Sequence, residues 1–406
     1  MKNKIRIISV VIFLPVLIIL ISFGGQKADD VVVVSNPKTP ELNMRIVFNE
    51  ELSIGEVEGD ENYMFGNQVY FNTDDEGNFY VNDWDRRRIQ KYDSQGKYLC
   101  AIGKKGQGPG EFQNVWTPRF DKDNNLYVSD YVSRRISFFD KEGKFLRQIK
   151  IPIRSMDIYI NTKGFYVGRQ STLIEGQRGI KYITIYGLFD DKFKLTAEIH
   201  KETWEPKPPS GRDENSIAQG LANTLSDMAF NPQITYFLTE DDSIYFGYPK
   251  KYEIHIYTPE GKLSKIIRRE YEPIKVSKWH KENYIKNQAE DFLRNLPLRA
   301  DSIKKKAIQL IKYPKYKPAY QRFTLMENGW LIVIIDTLED GEKLIDVFDQ
   351  EGKYIAQFKT AVSTNRLFFK NGKAYALAIE NDYRFVKRNN FEIQEYKDNR
   401  WVRKNN

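Results

Sequence analysis

After residue 43, the chain alternates short apolar runs with polar breaks. The runs are rich in Tyr, Val, Ile and Phe, and the breaks in Asp, Asn and Gly. Runs of this kind read as strands and the breaks as turns. The pattern is clearest from Pro118 to Lys150. Pro118–Asp121 opens a first strand, Leu126–Asp130 a second, Arg135–Asp140 a third and Lys144–Lys150 a fourth. Turns at Lys122–Asn125 and Lys141–Gly143, with a loop at Tyr131–Arg134, separate them. Together they make one four-stranded antiparallel unit.

The same unit occurs once before. Gly77–Gly103 reads GNFYVNDWDRRRIQKYDSQGKYLCAIG, and Asn124–Ile149 reads NNLYVSDYVSRRISFFDKEGKFLRQI. Tyr80 and Tyr127 are 47 residues apart (127 − 80), as are Asp93 and Asp140 (140 − 93). A period of roughly 45 residues with four strands per unit is the signature of a propeller blade. Further units follow at Met156–His200, Gln233–Arg269, Gln321–Phe358 and Arg366–Tyr396. The expected fold is all-β: a six-bladed β-propeller of four-stranded antiparallel blades, spanning 44–400. An unpaired sheet edge is a liability, so Arg45–Gly55 should close the ring by pairing near Tyr383–Tyr396. Residues 25–43 read as a linker.

Three segments interrupt the repeat: Gln170–Gly179, Lys201–Pro232 and Glu270–Ala319. In a meander of strands a to d, the b-to-c loops and d-to-a connections share one face. All three interruptions are of these two kinds. Long loops are usually functional or disordered, so function is expected on that face. A small helical insertion is predicted over about 277–312, between blades four and five. Ile285, Ala289, Phe292, Leu293 and Leu296 make its apolar stripe, and Ser277 is its N-cap. A second turn or helix is expected near Ser216–Ser226. The insertion could clamp blades four and five, cover the central opening or dock a partner.

The strings GKKGQGPGEF, DNNLYVSD and RRISFFDKEGKFL resemble the NHL repeat. More narrowly, they resemble the bacterial extracytoplasmic six-bladed propellers of that superfamily. The likeness is strong over Asp74–Lys150 and reduces to pattern elsewhere. It implies the fold and not one activity, because one fold hosts many functions. Relatives of this kind include RNA binders, lyases with histidine-bound zinc and calcium-dependent lactonases. The histidine ligands have no match in His200, His255 and His280, which lack metal-site spacing. A calcium site would draw on Asp, Glu and Asn, and no spacing singles any of them out.

The N-terminus changes the compartment. Lys2, Lys4 and Arg6 precede an apolar run from Ile7 to Phe23, an export signal in residues 1–24. It is either cleaved after Gly24 or kept as a membrane tether. The body is therefore expected outside the cytoplasm: periplasmic, at the cell surface or secreted. The formal net charge of +8 falls to +5 once the three cations of the signal are removed (8 − 3). The lone Cys100 can make no internal disulfide. An exported location argues against nucleic acid as the partner. An anionic glycan, lipid headgroup or acidic protein surface suits the compartment better.

No motif of nucleophilic, zinc or phosphate-loop chemistry is present. GKKGQGPGEF lacks the G-K-[ST] ending and precedes a strand, so it reads as an interblade connection. Asp83 with Arg88, and Asp130 with Arg135, recur at one repeat position and read as braces within each blade. The candidate ligand-binding residues are Trp84, Arg86, Arg87, Trp116, Arg119, Tyr131 and Arg134, all from b-to-c or d-to-a positions of blades one and two. Arginine and aromatic side chains are frequent binding anchors. The expected function is that of a non-catalytic binding or scaffold propeller, recognising a protein or an anionic or glycan ligand without a cofactor. The alternative is a metal-dependent, calcium-type lyase or hydrolase with a central carboxylate-lined site.

Overall fold

The computed structural model describes residues 31–152, 157–176, 179–205, 210–296 and 300–404. The export segment lies outside them. Among the described residues, no helix is long and apolar enough to cross a membrane.

The strands form six sheets, each running a-b-c-d through antiparallel neighbours. Blade one consists of Val69–Thr73, Phe79–Asp83, Arg88–Tyr92 and Tyr98–Ile102. Blade two consists of Arg119–Phe120, Leu126–Asp130, Arg135–Phe139 and Phe145–Lys150, within a residue or two of the sequence expectation. Blade six takes its strand d from the N-terminus. Met44–Ile54 pairs antiparallel with Tyr383–Lys397, from Met44↔Glu395 to Ile54↔Val386. The two ends of the propeller sequence therefore close the ring together, which leaves no blade with an incomplete sheet.

The expected linker is partly a strand. Val32–Asn36 adds in parallel to Leu263–Arg269 as a fifth strand on the outer edge of blade four. The valine run suits a strand, and that edge offers unpaired backbone groups. Asn36 secures the arrangement across two blades. Its amide donates to the carbonyl of Gly352 at 2.9 Å, and its side-chain oxygen accepts from the Tyr354 amide at 2.7 Å.

The interruption in blade three is also strand. Tyr166–Gly176 and Gly179–Phe189 are one long hairpin, in register from Tyr166↔Phe189 to Gly176↔Gly179. The alternating Thr172, Ile174 and Tyr182, Thr184 positions continue the two-residue period beyond the blade, so no loop was needed.

The other two interruptions are helical. α1 (Glu214–Met228) is capped by Asp213, whose carboxylate accepts from the amides of Asn215 and Ser216. α2 (Lys278–Tyr284) starts at Ser277 as expected, in a reciprocal cap with His280. It continues through a π-turn, Ile285–Ala289, into α3 (Glu290–Arg294), and α4 covers Asp301–Gln309. Leu225, Tyr284, Ala289 and Leu293 are buried together, and the Tyr284 hydroxyl donates to the Leu225 carbonyl at 2.6 Å. The two insertions thus satisfy each other's apolar faces and form one cap.

Hydrophobic packing lies between neighbouring blades. Tyr80, Ile89 and Ile102 of blade one meet Leu126, Val128 and Phe139 of blade two around Phe112. Phe112 belongs to the glycine-rich connection. A Cβ at Gly103, where φ is +71°, would sit 2.2 Å from the Phe112 ring. Glycine is required there by both backbone and space.

Candidate ligand site at the arginine-lined end of the channel

Strand a of every blade lines a central cavity of about 1000 Å³. Its side chains can be aligned through the a-to-b turns. The amides of Asp74, Asp121, Asn161, Thr239 and Met326 each bond to the carbonyl four residues on. Two residues before these lie Asn72, Arg119, Tyr159, Phe237 and Thr324. Four before lie Tyr70, Thr117, Asp157, Thr235 and Arg322. In blade six, Arg366 stands two residues before Phe368 at the start of strand a. Strand a begins where the d-to-a connection ends. The outer layer, with Arg322 and Arg366, therefore opens on the face that bears the insertions.

Arg119 bonds Asp157 at 2.5 Å, and its guanidinium lies 3.5 Å from the Tyr159 ring centroid. Burial opposes the charge on Arg119, but Asp157 and the phenols of Tyr159 and Tyr127 outweigh it, so its pKa stands above the arginine norm. Arg366 sits 3.5 Å from the ring centroid of Tyr70. Burial lowers its pKa, against contributions from the Tyr70 hydroxyl and, more weakly, the Asp157 carboxylate. Arg322 is lowered by burial and then by the positive charge of Arg366. Among the described residues, neither Arg322 nor Arg366 pairs with a carboxylate. Asp157 and Arg366 also hold positive φ, 54° each. Strain of this kind concentrates at ligand clamps.

An aromatic group stands beside the arginines. Tyr70 lies edge-on to Trp116 at 5.0 Å, and Trp84 lies 5.6 Å from Trp116. The indole nitrogen of Trp116 and Nε of Arg119 are buried without a hydrogen-bond partner. At the opposite end, the cavity is lined by Glu240, Asp241 and Glu327. Asp241 accepts from the hydroxyls of Thr239 and Ser243, and Glu327 from the amides of Asn371 and Gly372. Asp241 and Glu327 are engaged in turns.

Of the sequence candidates, Arg119 lines the cavity, Trp84 and Trp116 pack with Tyr70 beside Arg366, and the other four do neither. Arg86 is held by Asp83 at 3.1 Å and the Met64 carbonyl at 3.0 Å. Arg87 and Arg134 occupy equivalent left-handed turn positions, with φ of 55° and 49°. Arg134 and, in part, Tyr131 face outward on the b-to-c loop of blade two. Sequence reasoning missed Tyr70, Asp157, Arg322 and Arg366. The signal that finds them is the residue opening strand a, read blade by blade.

The two expected braces differ. In blade one, Arg88 pairs with the fully buried Asp83 at 3.3 Å. In blade two, Asp130 accepts from the amides of Gln113 at 2.7 Å and Asn114 at 3.2 Å, while Arg135 donates to the carbonyls of Gln107 at 2.8 Å and Glu111 at 2.5 Å. Both ends of that motif hold the glycine-rich connection, and they do not pair with each other. Among the histidines, His280 joins two elements of the fold. Its Nε2 lies 3.3 Å from buried Asp336, which also binds Lys317, so it ties the helical cap to blade five. This contact agrees with a clamp. No cap helix lines the cavity among the described residues. Among those residues, too, no three His, Cys, Asp or Glu side chains gather as a metal would require.

A family model, DUF5128, described as a 6-bladed beta-propeller, matches residues 65–195. No curated protein matches the chain. Solved structures are similar to the chain at low identity. A protein of Bacteroides fragilis described as exported is 11% identical, with a TM-score of 0.50, over 90% of this chain and 100% of its own. A DUF4221 member from Bacteroides vulgatus is 9% identical, with a TM-score of 0.48, over 86% of this chain and 99% of its own. Virginiamycin B lyase from Staphylococcus aureus is 10% identical, with a TM-score of 0.40, over 86% and 99%. At 11% identity, the likeness to the Bacteroides fragilis protein concerns the fold alone. The chain is a six-bladed propeller.

Proposed function

We propose that this chain is an extracytoplasmic recognition propeller that binds an anionic, glycan-type ligand on its insertion-bearing face. The carrying observation is the outer layer of the channel, where arginines and a Tyr–Trp–Trp group share the face on which every insertion projects. Guanidinium groups suit planar oxyanions, and aromatic rings supply contact area at low entropic cost. The basic and apolar N-terminus supports the compartment, and so does the name of the similar Bacteroides fragilis protein. The NHL-like strings add a scaffold used for recognition in that superfamily.

The test is binding of the purified protein to polygalacturonate, heparin and a neutral glucan, read at two salt concentrations. Saturable, salt-sensitive binding to the acidic polymers alone is expected. Equal binding to the neutral glucan, or none to any, would reject the reading. Capture of an acidic protein with no polymer binding would replace the glycan by a protein partner. The calcium-type enzyme makes a different demand: stoichiometric metal in the purified protein, measured by elemental analysis.

A further inference from the structure

We infer that Arg322 and Arg366 form a single-oxyanion clamp at the mouth of the channel, taking one carboxylate, sulfate or phosphate group of the ligand. This deepens the proposed function and rests on it.

Three guanidinium groups line the cavity and face one cavity-lining carboxylate at this end, and that carboxylate is already committed. Asp157 lies 2.5 Å from Arg119, and its main-chain carbonyl accepts from the Tyr236 hydroxyl at 2.9 Å. Among the described residues Arg322 and Arg366 have no salt bridge, the charge of Arg366 opposes that of Arg322, and the attraction of Asp157 for Arg366 is shared with Arg119. Arg169, on strand b of blade three, adds positive field at Tyr70 and Tyr236. Bringing like charges out of water is costly unless a counter-charge completes them. Nothing in the repeat demands that cost. The positions equivalent to Arg322 and Arg366 in blades one to four are Tyr70, Thr117, Asp157 and Thr235, so four of the six blades form with no arginine there.

The shape limits the ligand. Tyr70 backs the Arg366 guanidinium through cation–π contact, which fixes the plane of that group. A rigid guanidinium with a free edge offers two parallel donors to an oxyanion. The cavity of about 1000 Å³ is ringed by the six strands and has room for a small molecule or the end of a chain. The acids at the far end repel an anion that travels through, so the group stops at the arginine end.

The experiment is calorimetric titration of the purified protein with sodium sulfate, inorganic phosphate, galacturonic acid and neutral galactose, at constant ionic strength. One site per chain is expected for at least one anionic probe and none for galactose. Galacturonate with the inorganic ions assigns the oxyanion alone, and galacturonate without them assigns a sugar-borne carboxylate. Inorganic binding without galacturonate assigns a sulfate or phosphate group. R322M/R366M should weaken the bound probe by about tenfold or more, and R322K/R366K should weaken it less. The R86A/R87A/R134A variant should bind the small probes unchanged. If R322M/R366M fails to fold, R366M alone and the anion-dependent rise in Tm of the natural protein decide the matter. No binding of any probe, or undiminished binding in the arginine variants, overturns the clamp. Acidic polymer binding that survives in R322M/R366M but is lost in R86A/R87A/R134A would discard the clamp and keep the recognition face.

Discussion

Arginines in two regions of this propeller obey different rules. Arg88 and Arg135 open strand c of blades one and two, and each ends on groups the fold supplies: Asp83 for the first, two carbonyls of the glycine-rich connection for the second. Arg322 and Arg366 stand at the inner ends of blades five and six and have no such carboxylate partner among the described residues. Both kinds occupy one repeat position in two neighbouring blades, so recurrence does not separate them; what separates them is whether the fold supplies a partner for the charge. The reason is energetic. A paired buried charge is costly to break, whereas an unpaired one is a cost already borne by the folded state.

The comparison breaks most sharply at Arg135, which is 7% exposed. Arg135→Met strips two charge-assisted hydrogen bonds from the connection and leaves the Gln107 and Glu111 carbonyls unsatisfied. A loss of about 3 kcal/mol is expected in urea unfolding; a loss below about 1 kcal/mol would show that the connection holds itself. Arg88→Met should cost less, about 1.5 kcal/mol, because Arg86 still reaches Asp83 at 3.1 Å. Removing the Arg86 side chain as well should then cost more than the two single losses added together, since the last cationic partner of a buried carboxylate disappears and only the Arg86 amide remains. Simple additivity would mean that water replaces both. The smallest effect is the one of opposite sign. Arg322→Met should leave stability within about 0.5 kcal/mol, or raise it, by relieving the repulsion with Arg366. A loss of about 2 kcal/mol in the ligand-free protein would show that Arg322 is itself a brace, and the contrast between the regions would fall.

Blades one and two also show how one motif is put to two uses. Asp83-x4-Arg88 and Asp130-x4-Arg135 read alike in sequence, yet one closes on itself and the other reaches out to Gln107, Glu111, Gln113 and Asn114. What differs is the neighbour. Blade two is preceded by the compact glycine-rich connection packed around Phe112, which brings carbonyls and amides within reach of both charges. The connection before blade one contains no such turn string.

The blade repeat, the strand order and the helical insertion were legible in the chain because they depend on near neighbours. Period-two alternation, turn residues and a capped apolar stripe act over a few residues. The face that bears the insertions was legible too, since it follows from counting strands. Which charges meet was not. Arg322 and Arg366 lie 44 residues apart (366 − 322), and Tyr70 and Arg366 belong to opposite parts of the chain. They become neighbours only when Met44–Ile54 closes the ring and curls six strands around one axis. Val32–Asn36 likewise shows its nature only once blade four presents an open edge beside it. Local pattern carries no information about a partner that arrives through closure, so the composition of the channel mouth belongs to the tertiary structure alone.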